Sequence, residues 1–267
     1  MPERKPIALT IAGSDPSGGA GIQADLKTFH QFGVYGEAVV TLITVQNTVE
    51  VTRVECLAAD LVAQQIRAVV SDIPPLAAKT GALGNWEIIE VVAAAAAEFN
   101  FPLVVDPVIL TKHHATLLAA GAIEALKTLL FPRVFLLTPN LEEAAMLTRT
   151  DVSDVAGMRK AAELLAAMGP KAVLVKGGHL TGDAVDILFY EGKWLEFTSP
   201  RVATHHTHGT GCTYSAAITA SLAAGDDLRT AVGKAKHFIT EAIRGNPGLG
   251  AGSGPVNHHA GGYSNVT

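Results

Sequence analysis

Short apolar, β-branched runs alternate with amphipathic helical patterns along nearly the whole chain, and this alternation constrains the fold more than any other feature. Ile7–Ala12, set between Pro6 and Gly13, reads as a buried strand. The segment Ala20–Gln31 carries Ile22, Leu26 and Phe29 at helical spacing, and Gly33 is placed to end it. Ala38–Val45 is a second strand that stops at Gln46-Asn47, with a short extra strand at Val51–Val54. The alternation then continues with helix Asp60–Val70, strand Leu76–Thr80 and helix Trp86–Phe99, for which Asn85 is the N-cap. Strand Leu103–Val105, a polar loop Thr111–Ala115, a helix ending near Leu130 and strand Val134–Leu137 follow. Helices Leu141–Leu147 and Val155–Met168 precede strand Ala172–Val175. Ala184–Tyr190 and Trp194–Thr198 flank Glu191-Gly192-Lys193, a hairpin signature. Two helical patterns close the chain, one reaching about Ala224 and one over Leu228–Ile243, and the glycine-rich tail Gly245–Thr267 is expected to loop over the surface.

Such repetition predicts an α/β fold: a mostly parallel central sheet with helices on both faces and a late β-hairpin. No composition break marks a linker, so a single domain over residues 1–267 is expected, its core at about 7–245. Hydrophobic residues make up 48 % and charged residues 17 %, enough apolar surface for one large core. The formal net charge of −5 argues against a nucleic-acid surface. No apolar run is long enough to span a bilayer and no secretory h-region is present, so no membrane partner and a cytoplasmic location are expected. The two cysteines, Cys56 and Cys212, lie far apart and are expected to stay reduced, Cys56 as a packed structural thiol.

The strand ends carry the chemistry. In open parallel sheets ligands bind beyond the carboxyl ends of the strands. Here those ends read Gly13-Ser14-Asp15, Gln46-Asn47, Lys79-Thr80-Gly81, Asp106, Asn140 with Glu143, and Lys176-Gly177-Gly178. Asp106, Asn140 and Glu143 offer hard oxygen ligands of the kind Mg²⁺ takes, and Lys176 is a point charge suited to phosphate. His208-Gly209-Thr210-Gly211-Cys212-Thr213 opens a helix at the same edge. A glycine-rich helix start directs backbone N–H groups and the positive end of the helix dipole at one spot, which suits a phosphate. The other reading is a plain N-cap with a buried cysteine. No Gly-x-x-x-x-Gly-Lys-Ser/Thr occurs, so this is not a P-loop chain.

Gly19-Ala20-Gly21-Ile22-Gln23-Ala24 matches the dinucleotide fingerprint, which keeps a nicotinamide-dependent oxidoreductase among the alternatives. The loop before it is too long for the tight turn of that motif, and Gln46 stands where an acidic ribose ligand belongs. Of ten histidines, His113-His114, His205, His206, His208 and His258-His259 cluster on predicted loops without the i, i+4 spacing of helical metal ligands. They read as solvated or hydrogen-bonded loop residues.

The block from Ala8 to Phe29, together with Gln46-Asn47-Thr48, Lys79-Thr80-Gly81, Val105-Asp106-Pro107-Val108, Thr138 to Ala144, Lys176-Gly177-Gly178-His179, Thr207 to Thr213 and Gly254-Pro255-Val256, resembles in order the motifs of the hydroxymethylpyrimidine/phosphomethylpyrimidine kinases. These enzymes belong to the ribokinase-like superfamily. The resemblance covers about residues 7 to 258 and implies a single ribokinase-like domain. It implies ATP and Mg²⁺ as cofactors and two successive phosphorylations of a pyrimidine in thiamine synthesis. It further implies that Gln46 contacts the pyrimidine, with Gly13, Ala20 and Asp25 completing that pocket. Asp106 and Glu143 are implied as metal ligands, and Asn140, Lys176, Thr210 and Lys236 as nucleotide-binding residues. Gly209, Gly211 and Lys176 are implied to stabilise the transferred phosphoryl group, with Cys212 as base or proton relay where related sugar kinases carry an aspartate. A helix N-terminus would lower the Cys212 thiol, and a nearby triphosphate would push it back up. The resemblance implies a homodimer. Pyridoxal kinase is the near alternative, the nicotinamide-dependent oxidoreductase the distant one, and a catalytically dead binding or sensor protein the third. The run Ile109 to His114, Ala82 and His206 depart from the usual motifs.

Overall fold

The computed structural model describes residues 5–110, 117–119, 121–178, 180 and 182–261. The predicted loop Thr111–Ala115, with His113-His114, lies outside the described residues, as does His179.

A nine-stranded sheet runs through the molecule, built from β1 (Ile7–Ser14), β2 (Tyr35–Gln46), β3 (Val51–Cys56), β4 (Ala77–Thr80), β5 (Leu103–Val105), β6 (Leu136–Leu137), β7 (Ala172–Gly177), β8 (Ala184–Tyr190) and β9 (Lys193–Ser199). Their order is β3-β2-β1-β4-β5-β6-β7-β8-β9. The six strands from β2 to β7 pair in parallel, while β3, β8 and β9 are added antiparallel at the edges. Two residues with positive φ, Glu191 and Gly192, join β8 to β9, the geometry that matches the twist of a tight hairpin.

Helices cover both faces. On one side lie α2 (Ala59–Asp72), α3 (Trp86–Ala96), α4 (Ala122–Ala125), α5 (Leu141–Thr148) and α6 (Val155–Ala166), whose apolar stripes close the largest core cluster. On the other lie α1 (Gly21–Gln31), α7 (Thr210–Ala223) and α8 (Leu228–Arg244). Helix α7 is buried on nearly every side because it is sandwiched between the sheet, α1 and α8, and this explains its run of small residues. The fold class agrees with the sequence reading.

Three details differ from expectation. The helix ending near Leu130 is α4 followed by a π-turn at Leu126–Leu130 and a 3₁₀ turn at Phe131–Arg133, where Pro132 has no N–H to donate. Cys56 is exposed on the edge strand β3 rather than packed. The tail does not simply lie on the surface. His208 and Pro255 form a parallel bridge, and Val256, His258 and Ala260 are buried against α7 and α8, so residues 254–260 brace the glycine-rich helix start from outside.

Glu37, on β2, is 7 % exposed, and among the described residues neither of its carboxylate oxygens has a hydrogen-bond partner. Burial first, and then the Asp72 charge, push its pKa from 4.5 up to about 7. The fold therefore favours the protonated form and takes up a proton between about pH 4.5 and 7. Stability from this group is present below the lower value and is lost as pH rises through the upper one. Glu37→Gln, which mimics the neutral acid, is expected to raise Tm by a few degrees at pH 8 and by about nothing at pH 5. Thermal melts at the two pH values check this.

Candidate active site

The parallel strands of the sheet end at a single cavity of about 1000 Å³. Its walls include Gly13, Ala20, Leu42, Gln46 and Ala82 at one end, and Asn140, Lys176, Asp186, Pro200, Lys236 and Ile239 at the other. Gly209, Thr210, Gly211 and Cys212 lie between, with Asp106 and Glu143 also on the wall.

The central part is built from a helix left open. Asn85, Asn140, Asp154 and Asp227 cap α3, α5, α6 and α8 with side-chain oxygens. Helix α7 begins instead at Gly209 with no side-chain cap, in a left-handed conformation (φ 79°). Thr210 N–H donates to Thr207 and Thr213 N–H to Gly209, and among the described residues the Gly211 and Cys212 amides have no protein acceptor. Helix α1 also starts without a side-chain cap, at Ala20, and its approach to α7 is close: a Cβ on Gly209 would come within 1.7 Å of the Gly19 carbonyl. Free N–H groups and a helix dipole at one point of a cavity make an anion site.

Charges of both signs face that point. Lys176 Nζ lies 2.8 Å from Asp106 Oδ1, and Thr138 Oγ1 donates to the same oxygen at 3.3 Å. A Cβ on Gly211 would sit 3.3 Å from Asp106 Oδ2 and 3.4 Å from Lys176 Nζ, which shows how closely the three converge. Burial opposes the Lys176 ammonium, but Asp106 and Glu143 outweigh it and raise its pKa, so it stays charged. Glu143 closes a capping box with Asn140, each backbone N–H bonded to the other's side-chain oxygen at 2.9 Å. Burial pushes its carboxyl from 4.5 to about 7, against the pull of Lys176.

At the other end Gln46 extends from the end of β2. Its Nε2 lies 3.2 Å from His208 Nε2, which is itself 2.7 Å from Asp15 Oδ2. Asp15 also accepts from Ser17 and from the Ala20 amide, and the bonds from His208 and Ser17 lower its pKa although burial works to raise it. A charged Asp15 accepts from His208 Nε2–H and so holds the imidazole beside the Gln46 amide, whose Oε1 accepts from Thr44 Oγ1 at 3.3 Å.

Most of the expected site residues stand on this one wall: Gly13, Ala20, Gln46, Asp106, Asn140, Glu143, Lys176, Gly209, Thr210, Gly211, Cys212 and Lys236. Three expectations need correction. Asp25 does not line the pyrimidine end; it is fully buried beneath it, paired with Lys79 at 2.6 Å and with Thr10 at 2.7 Å. Lys236 reaches the wall with its ammonium bonded to Asp186 Oδ2 at 2.7 Å, so its direct partner is a carboxylate rather than open space for a nucleotide. The Cys212 thiol is not lowered. Burial pushes it from 9.0 to about 11, Lys79 pulling the other way and Asp25 and Asp106 adding to the rise. A low-dielectric site penalises the thiolate more than the helix dipole favours it.

Sequence reasoning missed Asp186, which accepts from the Gly177 amide, Tyr214 and Lys236. The signal was there: a carboxylate in the middle of the apolar strand Ala184–Tyr190. Asp15 appeared only as a strand end, and His208 only among the loop histidines at the helix start. Among the described residues no group of three His, Cys, Asp or Glu side chains is gathered to hold a metal by itself.

A doubly covered, mostly parallel sheet with an open helix start, a lysine and two carboxylates at its carboxyl edge defines a phosphotransferase of the ribokinase-like class. The family model for phosphomethylpyrimidine kinase matches residues 15–257, and the chain belongs to that family. It is 46 % identical to the hydroxymethylpyrimidine/phosphomethylpyrimidine kinase of Bacillus subtilis over 256 residues, covering 95 % of this chain and 94 % of that protein. It is 50 % identical to the thiamine biosynthesis bifunctional protein ThiED of Geobacter sulfurreducens, covering 94 % of this chain but only 51 % of that protein, about half its length. Among solved structures, the ADP complex of Bacillus subtilis pyridoxal kinase superposes with a TM-score of 0.89 at 38 % identity, covering 96 % of this chain and 98 % of that one. No helix among the described residues is long and apolar enough to cross a membrane.

Proposed function

We infer that this chain is an ATP-dependent hydroxymethylpyrimidine/phosphomethylpyrimidine kinase. It phosphorylates the hydroxymethyl oxygen of 4-amino-5-hydroxymethyl-2-methylpyrimidine and then converts the monophosphate to the diphosphate used in thiamine synthesis. The observation that carries this reading is the arrangement of one cavity: Gln46 at one end, the Lys176–Asp106 pair at the other, and the open start of α7 between them.

In this reading Gln46, held by Thr44 beside His208, meets the pyrimidine edge, since an amide both donates and accepts. The acceptor's oxygen attacks the γ-phosphorus and the bond from that phosphorus to the β,γ-bridging oxygen breaks, releasing ADP. The Gly211 and Cys212 amides and Lys176 stabilise the charge on the transferred group throughout. With the hydroxymethyl acceptor, Cys212, neutral at working pH, acts as a relay: it takes the hydroxyl proton while giving its own to a phosphoryl oxygen. A loose phosphoryl-transfer transition state places little demand on a strong base. Lys236, tied to Asp186, stands on the nucleotide side of the wall as half of an ion pair.

The residues fit Mg²⁺, which typically binds through one or two carboxylates and completes its shell with phosphate oxygens and water. Asp106 and Glu143 would hold it, and a cation there would restore Glu143 to its ionised form. When bound it supplies charge neutralisation on the phosphates. Assembly as a homodimer belongs to the same reading and is measured by sedimentation.

ADP release is the test, with the hydroxymethylpyrimidine, its monophosphate and pyridoxal as separate acceptors, with and without Mg²⁺. Release with the first two supports the reading, release with pyridoxal alone transfers the chain to the neighbouring activity, and release with none refutes a kinase. The neutral-thiol assignment has its own check. In a Cys56→Ser background, alkylation of Cys212 by iodoacetamide is expected to remain slow up to about pH 9–10, with a midpoint at about 11 rather than below 9.

A further inference from the structure

We infer that Lys79, together with Asp25, is a positioning residue for phosphoryl transfer: it holds the first turn of α7 from the sheet side, so that the Gly211 and Cys212 amides keep their place in the cavity. The inference rests on the kinase reading above and deepens it.

Lys79 lies on β4 and pairs in register with Thr10 of β1. Its strand neighbour on the same face, Ala77, packs with Phe29 of α1 and with Ala216 and Ala220 of α7. The Lys79 side chain therefore projects into the layer between sheet and helices, where both it and Asp25 have no solvent exposure. Its ammonium is 2.6 Å from Asp25 Oδ1 and 3.5 Å from the Cys212 carbonyl. Thr10 Oγ1 donates to the other oxygen of Asp25 at 2.7 Å, and Ser215 Oγ donates to the same Cys212 carbonyl at 3.1 Å. One chain of bonds thus links β1, α1, β4 and the first turn of α7.

That turn lies between two lysines. Lys176 meets it at Gly211 beside the cavity, and Lys79 meets it at Cys212 from behind. Burial works against the Lys79 ammonium, but the Asp25 charge outweighs it and raises its pKa, so the cation persists. Stability does not account for such a pair. Taking two charges out of water is costly, and apolar replacements of similar volume are often neutral or stabilising. A buried cation fixed behind free amides does account for it, because preorganised positive potential stabilises the charge of the transition state without reorganisation.

Lys79→Met alone would leave Asp25 buried without its counter-charge. The test is therefore the double variant Asp25→Asn/Lys79→Met, compared with an active wild type. Expected are a Tm within about 3 °C of wild type, KM for ATP and pyrimidine within about threefold, and kcat lower by about 30-fold or more. The affinity for ADP with aluminium fluoride, a mimic of the group in flight, is expected to fall by a similar factor while that for ADP alone holds. A folded double variant with kcat within about threefold of wild type overturns the inference, as does equal loss of ADP and ADP–aluminium fluoride binding. If the double variant does not fold, Thr10→Val decides. It only loosens Asp25, so a kcat about threefold or more lower at unchanged Tm supports positioning, and an unchanged kcat overturns it. An inactive wild type would instead refute the kinase reading.

Discussion

Replacing Lys176 with methionine is expected to lower kcat by about 10²–10³-fold while KM for the pyrimidine changes by about threefold or less. The end of β7 fixes this lysine where the phosphates must pass: its backbone N–H donates to Pro139, and its ammonium meets Asp106 at 2.8 Å. The pyrimidine end, at Gln46 and His208, is built from other elements and should be undisturbed. Removing the cation leaves the Asp106 carboxylate, only 2 % exposed, without its main counter-charge. Part of the damage is therefore to stability, and Lys176→Met/Asp106→Asn separates the two. The double variant is expected to regain most of the lost Tm and none of the lost kcat. Steady-state ADP release and thermal melts read both quantities.

The second large effect distinguishes two glycines that look alike in sequence. Gly211→Ala is expected to lower kcat about 100-fold or more with a Tm within a few degrees of wild type, because the added Cβ would stand 3.3 Å from Asp106 Oδ2 and 3.4 Å from Lys176 Nζ, crowding the ion pair and the free amides beside it. Gly209→Ala is expected to lose activity and stability together. Its φ of 79° is a left-handed conformation that alanine adopts only with strain, and its Cβ would collide with the Gly19 carbonyl at 1.7 Å. Repairing that collision moves α1 away from α7, and with it both uncapped helix starts. Equal effects of the two substitutions on Tm would contradict the division of roles.

Much of this was legible beforehand, for a physical reason. Strand and helix periods differ, so the alternation of Ile7–Ala12, Ala20–Gln31 and their successors specified a parallel sheet and brought the polar strand ends to one edge. The anion loop was legible because only glycine permits its backbone. Burial is where the reading failed. Asp25 looked like a pocket residue because its motif is a pocket motif, but position along α1 turns its side chain under the sheet edge to Lys79. Cys212 looked like an activated thiol because its helix dipole is visible in sequence, whereas its desolvation is set by packing from residues far along the chain. The tail read as a loop because glycine and asparagine dominate it; the bridge between His208 and Pro255 depends on a contact no local pattern encodes. Asp186 is different: a lone carboxylate in an apolar strand was a readable sign of a buried ionic network.

What must hold is that one cavity transfers phosphate from ATP to the hydroxymethylpyrimidine and then to its monophosphate. Phosphorus NMR of the chain with ATP, Mg²⁺ and the hydroxymethylpyrimidine follows both steps in one tube. A pyrimidine monophosphate signal is expected to rise first and then give way to the diphosphate, with ADP accumulating to match and both products forming about 100-fold more slowly in the Gly211→Ala protein. ADP without either pyrimidine phosphate, or turnover of pyridoxal but not of the pyrimidine, would contradict it.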